Sequence, residues 1–399
     1  MSVKTAIPKM SVITEESHLI GEFIGDASGA TLIVVGSLHG NEKGGAIALR
    51  KISREMENLR EKLRGRVYFL AGNTRALQRG VRFIDSDLNR HWTVENFLKN
   101  SKSSTVSPLL SEDLEQRELL EIINRILATA QDEVYALDLH STSAEGLPFA
   151  TVGDTLRNRS FAQKFPVTIL LGIEEQLDGT LLEYLNSFGI ITFGFEGGQH
   201  DSPQTAKNHE ALVWLALVNS GILAAEDAPD LERHRQNLGK ATGAARLLEV
   251  RYREAVRPED EFEMNPGFEN FDTIKRGQIL ARNRKGAIKA VESGLILMPL
   301  YQKLGEDGFF IGREIAPFWL RLSLVLRKLK IADFMHILPG VSRHPTEREI
   351  LLVDTRIARF FPLQIFHLLG FRKRRWRDNK LVVSRRRYDT FSPFKRQEK

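Results

Sequence analysis

The sequence predicts an α/β fold: a mostly parallel or mixed sheet flanked by helices, followed by a smaller β-rich domain and a basic tail. Three observations lead there. Short apolar runs alternate with helix-periodic segments as far as Leu223, the pattern of strands joined by crossover helices. Beyond Ala224, short strand-like runs are separated by Gly, Pro and Asn. From Pro317 onward the charge turns strongly positive. With 399 residues the chain exceeds one comfortable core. The expected division is 1–225, 240–316 and 317–399.

The elements follow in order. Thr31–Gly36 is an uninterrupted apolar run closed by glycine, as a buried parallel strand requires. Leu49, Ile52, Met56, Leu59 and Leu63 recur at helical spacing before Gly65, which stops a helix. Arg66–Leu70 is the next strand, and Asn96 to Ser107 a polar linker. Ser111 is expected to cap a helix whose first turn holds Glu112, Asp113 and Glu115, acids suited to a helix N-terminus. Its apolar stripe is Leu119, Ile123, Ile126 and Ala130. Val134–Asp138, Val167–Leu171 and Ile190–Phe195 are further strands, and Pro203 to Leu223 a closing helix with proline at its start. After a boundary at Glu226–Asp230, Leu247–Val256, Gln278–Ala281, Ala287–Val291 and Gly294–Met298 suggest a small sandwich or barrel.

Composition narrows the chemistry. The chain is 42% hydrophobic and 27% charged, within the globular range. It contains no cysteine, so disulfides, zinc fingers, iron–sulfur clusters and thiol catalysis are excluded and any metal must be held by His, Asp or Glu. Between Met1 and Ile24 the apolar residues are interrupted by Lys4, Lys9, Glu15, Glu16 and Glu22, which argues against a secretory signal. No run approaches the ~18 apolar residues of a membrane span. A cytoplasmic location is the expectation.

Four motifs stand where strands of the α/β part end, and such ends converge on one crevice. In Gly36-Ser-Leu-His39-Gly-Asn-Glu42, the imidazole and carboxylate are three apart in a turn entering a helix. Alone, His-x-x-Glu is a weak signal. Asp138-Leu-His140-Ser-Thr follows about a hundred residues later. His140 would complete a His, Glu, His set with an open fourth position, the arrangement of a catalytic zinc site. Asp138 is given a structural role, turned away along the strand or returning to support His140. In Arg82-Phe-Ile-Asp-Ser-Asp-Leu-Asn89-Arg90, two arginines and an asparagine can clamp a carboxylate and place a cation beside a polarised carbonyl; Asp85 and Asp87 would neutralise or orient them. Glu196 ends an apolar strand before two glycines, a partly desolvated position suited to a general base.

These four motifs, in this order and spacing, resemble the succinylglutamate desuccinylase/aspartoacylase family, relatives of the zinc carboxypeptidases. Pro266-Gly-Phe-Glu-Asn-Phe-Asp and Gly277-Gln-Ile-Leu-Ala extend the resemblance more weakly to about Gly312. The resemblance implies one zinc ion per chain held by His39, Glu42 and His140, with Glu196 as general base. It implies that Arg82 steadies the oxyanion and that Asn89 and Arg90 hold a substrate carboxylate. The implied activity is hydrolysis of the acyl-amide bond of a small N-acyl amino acid, the acyl group being unspecified. A carboxypeptidase-type peptidase or amidase and an inactive binding scaffold are the rival readings.

The tail has no counterpart in that resemblance. It holds 20 Lys and Arg against 7 Asp and Glu, so the preceding residues are net acidic. It is read as a helical layer docked on the enzyme, with Leu320, Leu324 and Leu329 meeting Phe361, Ile365 and Leu368. An anionic membrane surface is the second reading. Nucleic acid is not expected, because the aromatics are not interleaved as stacking platforms. A homo-oligomer is compatible with the sequence.

Overall fold

The structure, a computed structural model, describes residues 17–102, 109–243, 245–302, 305–347, 349–354, 363–377 and 380–395. Phe361, most of the N-terminal segment and the end of the expected linker lie outside these residues.

The α/β part begins with β1 (Leu19–Ile24), β2 (Thr31–Gly36), α1 (Gly44–Met56), β3 (Arg66–Ala71), α2 (Thr74–Arg79), α3 (Val94–Lys102) and α4 (Ser111–Ala128). It continues with β4 (Val134–Thr142), β5 (Phe149–Val152), α5 (Leu156–Ala162), β6 (Thr168–Leu171), α6 (Leu181–Ser187), β7 (Ile191–Gln199), α7 (Pro203–Asn219) and α8 (Leu231–Thr242). The β-rich part holds β8 (Leu247–Ala255), β9 (Glu263–Met264), β10 (Thr273–Ile274), β11 (Ile279–Asn283), β12 (Gly286–Lys289), β13 (Gly294–Leu297) and β14 (Asp307–Glu314).

Strands β2, β3, β4 and β7 pair in parallel, in the order β3-β2-β4-β7. Every residue of β2, β3 and β4 is buried, which is why they read as continuous apolar runs. Antiparallel β1 closes one edge, and β5 joins β7 antiparallel on the other side. The sheet continues through β6, β8, β14, β13 and β10. Strands β12, β11 and β9 form a separate three-stranded sheet, and Leu280 and Ala281 from it share a core with Ile296, Phe309 and Ile311 from the large one. The β-rich part is thus a small two-layer unit carried on the edge of the main sheet.

Several boundaries differ from expectation. The supposed linker from Asn96 is helical to Lys102; Thr93 Oγ1 accepts the Asn96 N–H, and Phe97 packs on Trp92 and Tyr184. Ser111 is the first residue of α4 rather than its cap; the cap is Leu110, whose N–H goes to Asp113 Oδ2 at 3.1 Å. Helix α7 stops at Asn219, ahead of Gly221, whose φ of +78° ends the helical path. Short β5 escaped notice because four residues give no period to count.

The tail forms α9 (Pro317–Lys328), β15 (Val341–Arg343), β16 (Ile350–Asp354), α10 (Leu363–Leu368), β17 (Phe371–Arg377) and β18 (Lys380–Arg385). Its strands make an antiparallel sheet, β15-β16-β18-β17, around Val353, Phe366 and Val383. The expected helical layer is therefore a mixed unit with its own core. The docking contacts also differ: Leu324 and Leu329 face solvent, whereas Ser323 and Arg327 face the protein. Buried Arg327 donates to Asp154 Oδ2 at 2.8 Å and Asp389 Oδ1 at 3.2 Å. Arg372 pairs with Glu183 at 2.7 Å, and Arg386 pairs with Glu174.

Candidate metal centre

The carboxyl ends of β2, β4 and β7 are adjacent because the three strands are parallel neighbours. His140 lies directly opposite Glu196 in the register. Beyond β2 the chain turns sharply at Ser37, a buried residue at φ +61° whose hydroxyl donates to the Glu42 carbonyl oxygen at 2.8 Å. The turn sends His39 and Glu42 back over the strand ends. Gly40 is required there: a Cβ would come within 2.2 Å of the Ala76 carbonyl carbon in α2.

His39, Glu42 and His140 are all buried, and one donor atom from each lies within 4.8 Å of the others. Glu42 stands between the rings, its Oε1 2.8 Å from His39 Nδ1 and its Oε2 3.2 Å from His140 Nδ1. The far nitrogen of each ring meets another carboxylate: His39 Nε2 is 3.0 Å from Asp87 Oδ1, and His140 Nε2 is 2.7 Å from Asp138 Oδ2. This is the carboxylate–histidine support that orients metal-ligating imidazoles. Two nitrogens and a carboxylate in a buried pocket form a donor set suited to zinc, so the residues fit the ion. Asp138 returns to support His140, since residues two apart on a strand share a face.

Electrostatics follow from this crowding. Burial alone would raise the Glu42 carboxyl, but the flanking imidazoles hold it well below the usual carboxylate range. Asp87 is likewise held low against burial by His39, Arg82 and Arg90. His140 is driven well above the ordinary imidazole value, Asp138 and Glu42 outweighing burial. Glu196 is pushed up to about 7, chiefly by burial and further by Glu42 and Asp138, with His140 opposing. Its Oε2 is buried without a hydrogen-bond partner.

The arginines are present but already engaged. Arg82 donates to Asp87 Oδ2 at 2.9 Å, lies 3.5 Å from Glu42 Oε1 and reaches the back of His39. Arg90 pairs with Asp307 at the start of β14 at 2.7 Å. Asn89 Oδ1 accepts the Leu181 N–H at 2.9 Å, anchoring α6. All three line one cavity of about 480 Å³ with the His/Glu cluster and Glu196.

Other contributors were not read from the sequence. Glu112, expected only to complement its own helix, is fully buried and accepts Ile84 N at 2.8 Å, Asp85 N at 3.0 Å and Asn73 Nδ2 at 3.0 Å. It staples the loop that carries Arg82 and Asp87. His209 on α7 has its Nε2 2.9 Å from the His140 carbonyl oxygen, and burial lowers it to about 4. A Cβ at Gly197 would come within 2.4 Å of that ring, which is one physical reason for the glycines after Glu196. The tail also enters the site: Arg372, Arg386 and Tyr388 line the same cavity. Nothing in the tail's sequence pattern signals this, because the contact depends on how two sheets dock. A second His/Glu group, His18 with Glu115 and Glu118, is an ion-pair network instead, with Arg75 2.7 Å from Glu115 and 2.8 Å from Glu118.

Comparison with known proteins agrees with this architecture. Residues 28–217 match the succinylglutamate desuccinylase/aspartoacylase catalytic domain. Over 276 residues the chain is 28% identical to an N-acyl-aromatic-L-amino acid amidohydrolase (carboxylate-forming) of Xenopus laevis, covering 64% of this chain and 86% of that one. A probable aspartoacylase of Nostoc is 32% identical over 111 residues, 28% of this chain and 35% of the relative. Among solved structures, a succinylglutamate desuccinylase/aspartoacylase of Rhodobacter sphaeroides superposes with a TM-score of 0.54 at 17% identity, covering 74% of this chain and 88% of that one. A succinylglutamate desuccinylase of Vibrio parahaemolyticus gives 0.51 at 15%, covering 73% and 83%. At these identities the superpositions speak to the fold alone.

Proposed function

Since residues 28–217 match the succinylglutamate desuccinylase/aspartoacylase catalytic domain, we propose that the chain is a member of that family and a cytoplasmic zinc-dependent amidohydrolase of N-acyl amino acids. In this reading one zinc ion per chain is held by His39, Glu42 and His140, and Glu196 is the general base. The observation that carries it is the convergence of two carboxylate-backed imidazoles on Glu42, beside Glu196, whose Oε2 is buried without a hydrogen-bond partner. The residues of 1–225 would do the chemistry, with 240–316 and 317–399 completing the walls.

When bound, zinc polarises a carbonyl and lowers the pKa of a bound water from about 15.7 towards about 7. The chain's own groups act around that chemistry. Glu196 removes a proton from the attacking water as the new C–O bond forms. Arg82 steadies the negative charge that develops on the acyl oxygen. The C–N bond then breaks, and Glu196 returns the proton to the departing amine, leaving a carboxylic acid and a free amino acid. Arg90 and the Asn89 amide would grip the substrate carboxylate, with Arg90 exchanging its contact to Asp307 for the ligand. A cavity closed on one side by the tail favours a small acylated amino acid over a peptide.

The test is metal content together with hydrolysis of a panel of N-acyl amino acids, with a short peptide as control. Glu196→Gln should keep about one zinc per chain while turnover falls by about two to four orders of magnitude. His140→Ala should lose both. Normal turnover in Glu196→Gln would remove the proposed base, and cleavage of the peptide alone would move the assignment to a peptidase.

A further inference from the structure

Helix α9 buries polar side chains and leaves large apolar ones at the surface. Its two buried residues are the polar ones, Ser323 and Arg327. Ser323 Oγ donates to the Leu368 carbonyl oxygen at 2.8 Å, and Arg327 donates to the same oxygen at 3.1 Å as well as to Asp154 and Asp389. Leu320 and Leu326 pack on the neighbouring cores, but the other large apolar side chains reach solvent. Phe318, Trp319, Val325 and Leu329, with Phe334 and Ile337 from the following turns, are each at least half exposed. Scattered exposed leucines need no explanation, but a contiguous set of large apolar side chains marks an interaction surface.

The charges around this patch identify its partner. Arg321, Lys328, Lys330 and Arg343 are exposed on the same segment, and none forms an ion pair with a described residue. The one acidic residue between Pro317 and Arg343 is Asp333, and it is paired with Arg385. A protein partner generally meets a rim of both signs, with lysine depleted. A second copy of this chain docking symmetrically would set the same cations against one another. Aromatic and branched side chains protruding between lysines and arginines suit an anionic lipid surface, where rings sit at headgroup level and cations meet phosphates. The geometry points to a peripheral membrane-docking face formed by α9 and the turns to Ile337, which rests on anionic bilayers without spanning them. Consistently, no helix among the described residues is long and apolar enough to cross a membrane. This inference is independent of the reaction proposed above.

The experiment is flotation of the full chain with phosphatidylcholine vesicles and with phosphatidylcholine–phosphatidylglycerol vesicles. Binding should require the anionic lipid and weaken as salt rises. A Lys328→Gln/Lys330→Gln protein should bind about thirtyfold more weakly, since each surface cation contributes about fivefold. A Val325→Asp/Leu329→Asp protein should stay unbound with an unchanged circular dichroism spectrum. Recovery of the full chain in the unbound fraction with anionic vesicles would overturn the proposal. So would equal binding by wild type and both variants, since the lysine pair is at the surface and its loss leaves folding intact. A dimer that sediments in wild type and dissociates in the aspartate variant, without vesicle binding, would assign the face to a second copy instead.

Discussion

Asp138 shows how much one carboxylate controls. It lines the cavity beside the cluster, and its Oδ2 fixes the Nε2 side of His140 at 2.7 Å. This leaves Nδ1 turned toward Glu42 at 3.2 Å. Replacing it with asparagine keeps the shape and removes the charge that holds the ring in orientation. Zinc affinity of Asp138→Asn, measured by competition with a chromophoric chelator, should fall by about 10-fold to 100-fold. An unchanged affinity would mean that the strand alone sets the ring. Residue by residue, the cluster was legible wherever a motif and a strand end coincided, as at His39, Glu42, His140 and Glu196. Asp87 was read only as a neutraliser of arginine, but it holds His39 as well. That second contact spans 48 residues of sequence, beyond what a local pattern encodes.

Among elements, α4 illustrates a helix whose first turn serves a neighbouring loop. Glu112 accepts backbone N–H groups of Ile84 and Asp85, and weakly of Ser86 at 3.3 Å. A buried carboxylate with several charge-assisted hydrogen bonds stabilises by more than a neutral cap would. Glu112→Ala should destabilise the protein by about 3 kcal/mol, because it strands loop donors away from water. It should also lower kcat/KM by loosening Arg82, while the zinc content proposed for the His39, Glu42 and His140 cluster stays unchanged. Denaturant unfolding and metal content read the two effects separately; loss of metal in parallel with activity would place Glu112 in the metal site itself. The acidic first turn was visible in sequence as a helix start, and α4 does start there. Its partner was not, since helix periodicity says which face is buried without naming what it is buried against.

At the scale of the whole molecule, the tail is held to the α/β part through a buried charge network. Burial would raise Asp154, but Arg159, Arg327 and Arg386 outweigh it and hold its carboxyl well below the ordinary value. A carboxyl depressed in the folded state contributes stability above its unfolded pKa of about 3.9, and that contribution is lost as pH falls through the folded value. Wild type should therefore melt above Asp154→Asn at pH 7, and the gap should narrow once the pH drops below about 4. A gap independent of pH would show that the interface is held by packing instead. The α/β and β-rich parts were legible because their strands and helices each bury a patterned face. The tail was legible only as a basic, partly apolar segment. Its four-stranded sheet depends on pairings such as Ile350 with Ser384, and the fully buried residues of α9 are polar, Ser323 and Arg327, so apolar periodicity does not mark them.

The meeting of Glu42 with His140 has a further consequence in time. They are 98 residues apart in the chain and come together only when Thr31–Gly36 has paired with Val134–Leu139. Pairing distant parallel strands closes a large loop, a slow event in chain collapse. Neither half of the cluster is a complete ligand set before that event. In the proposed reading a cation captured there binds the finished sheet, so its contribution should fall on the rate of opening rather than on the rate of assembly.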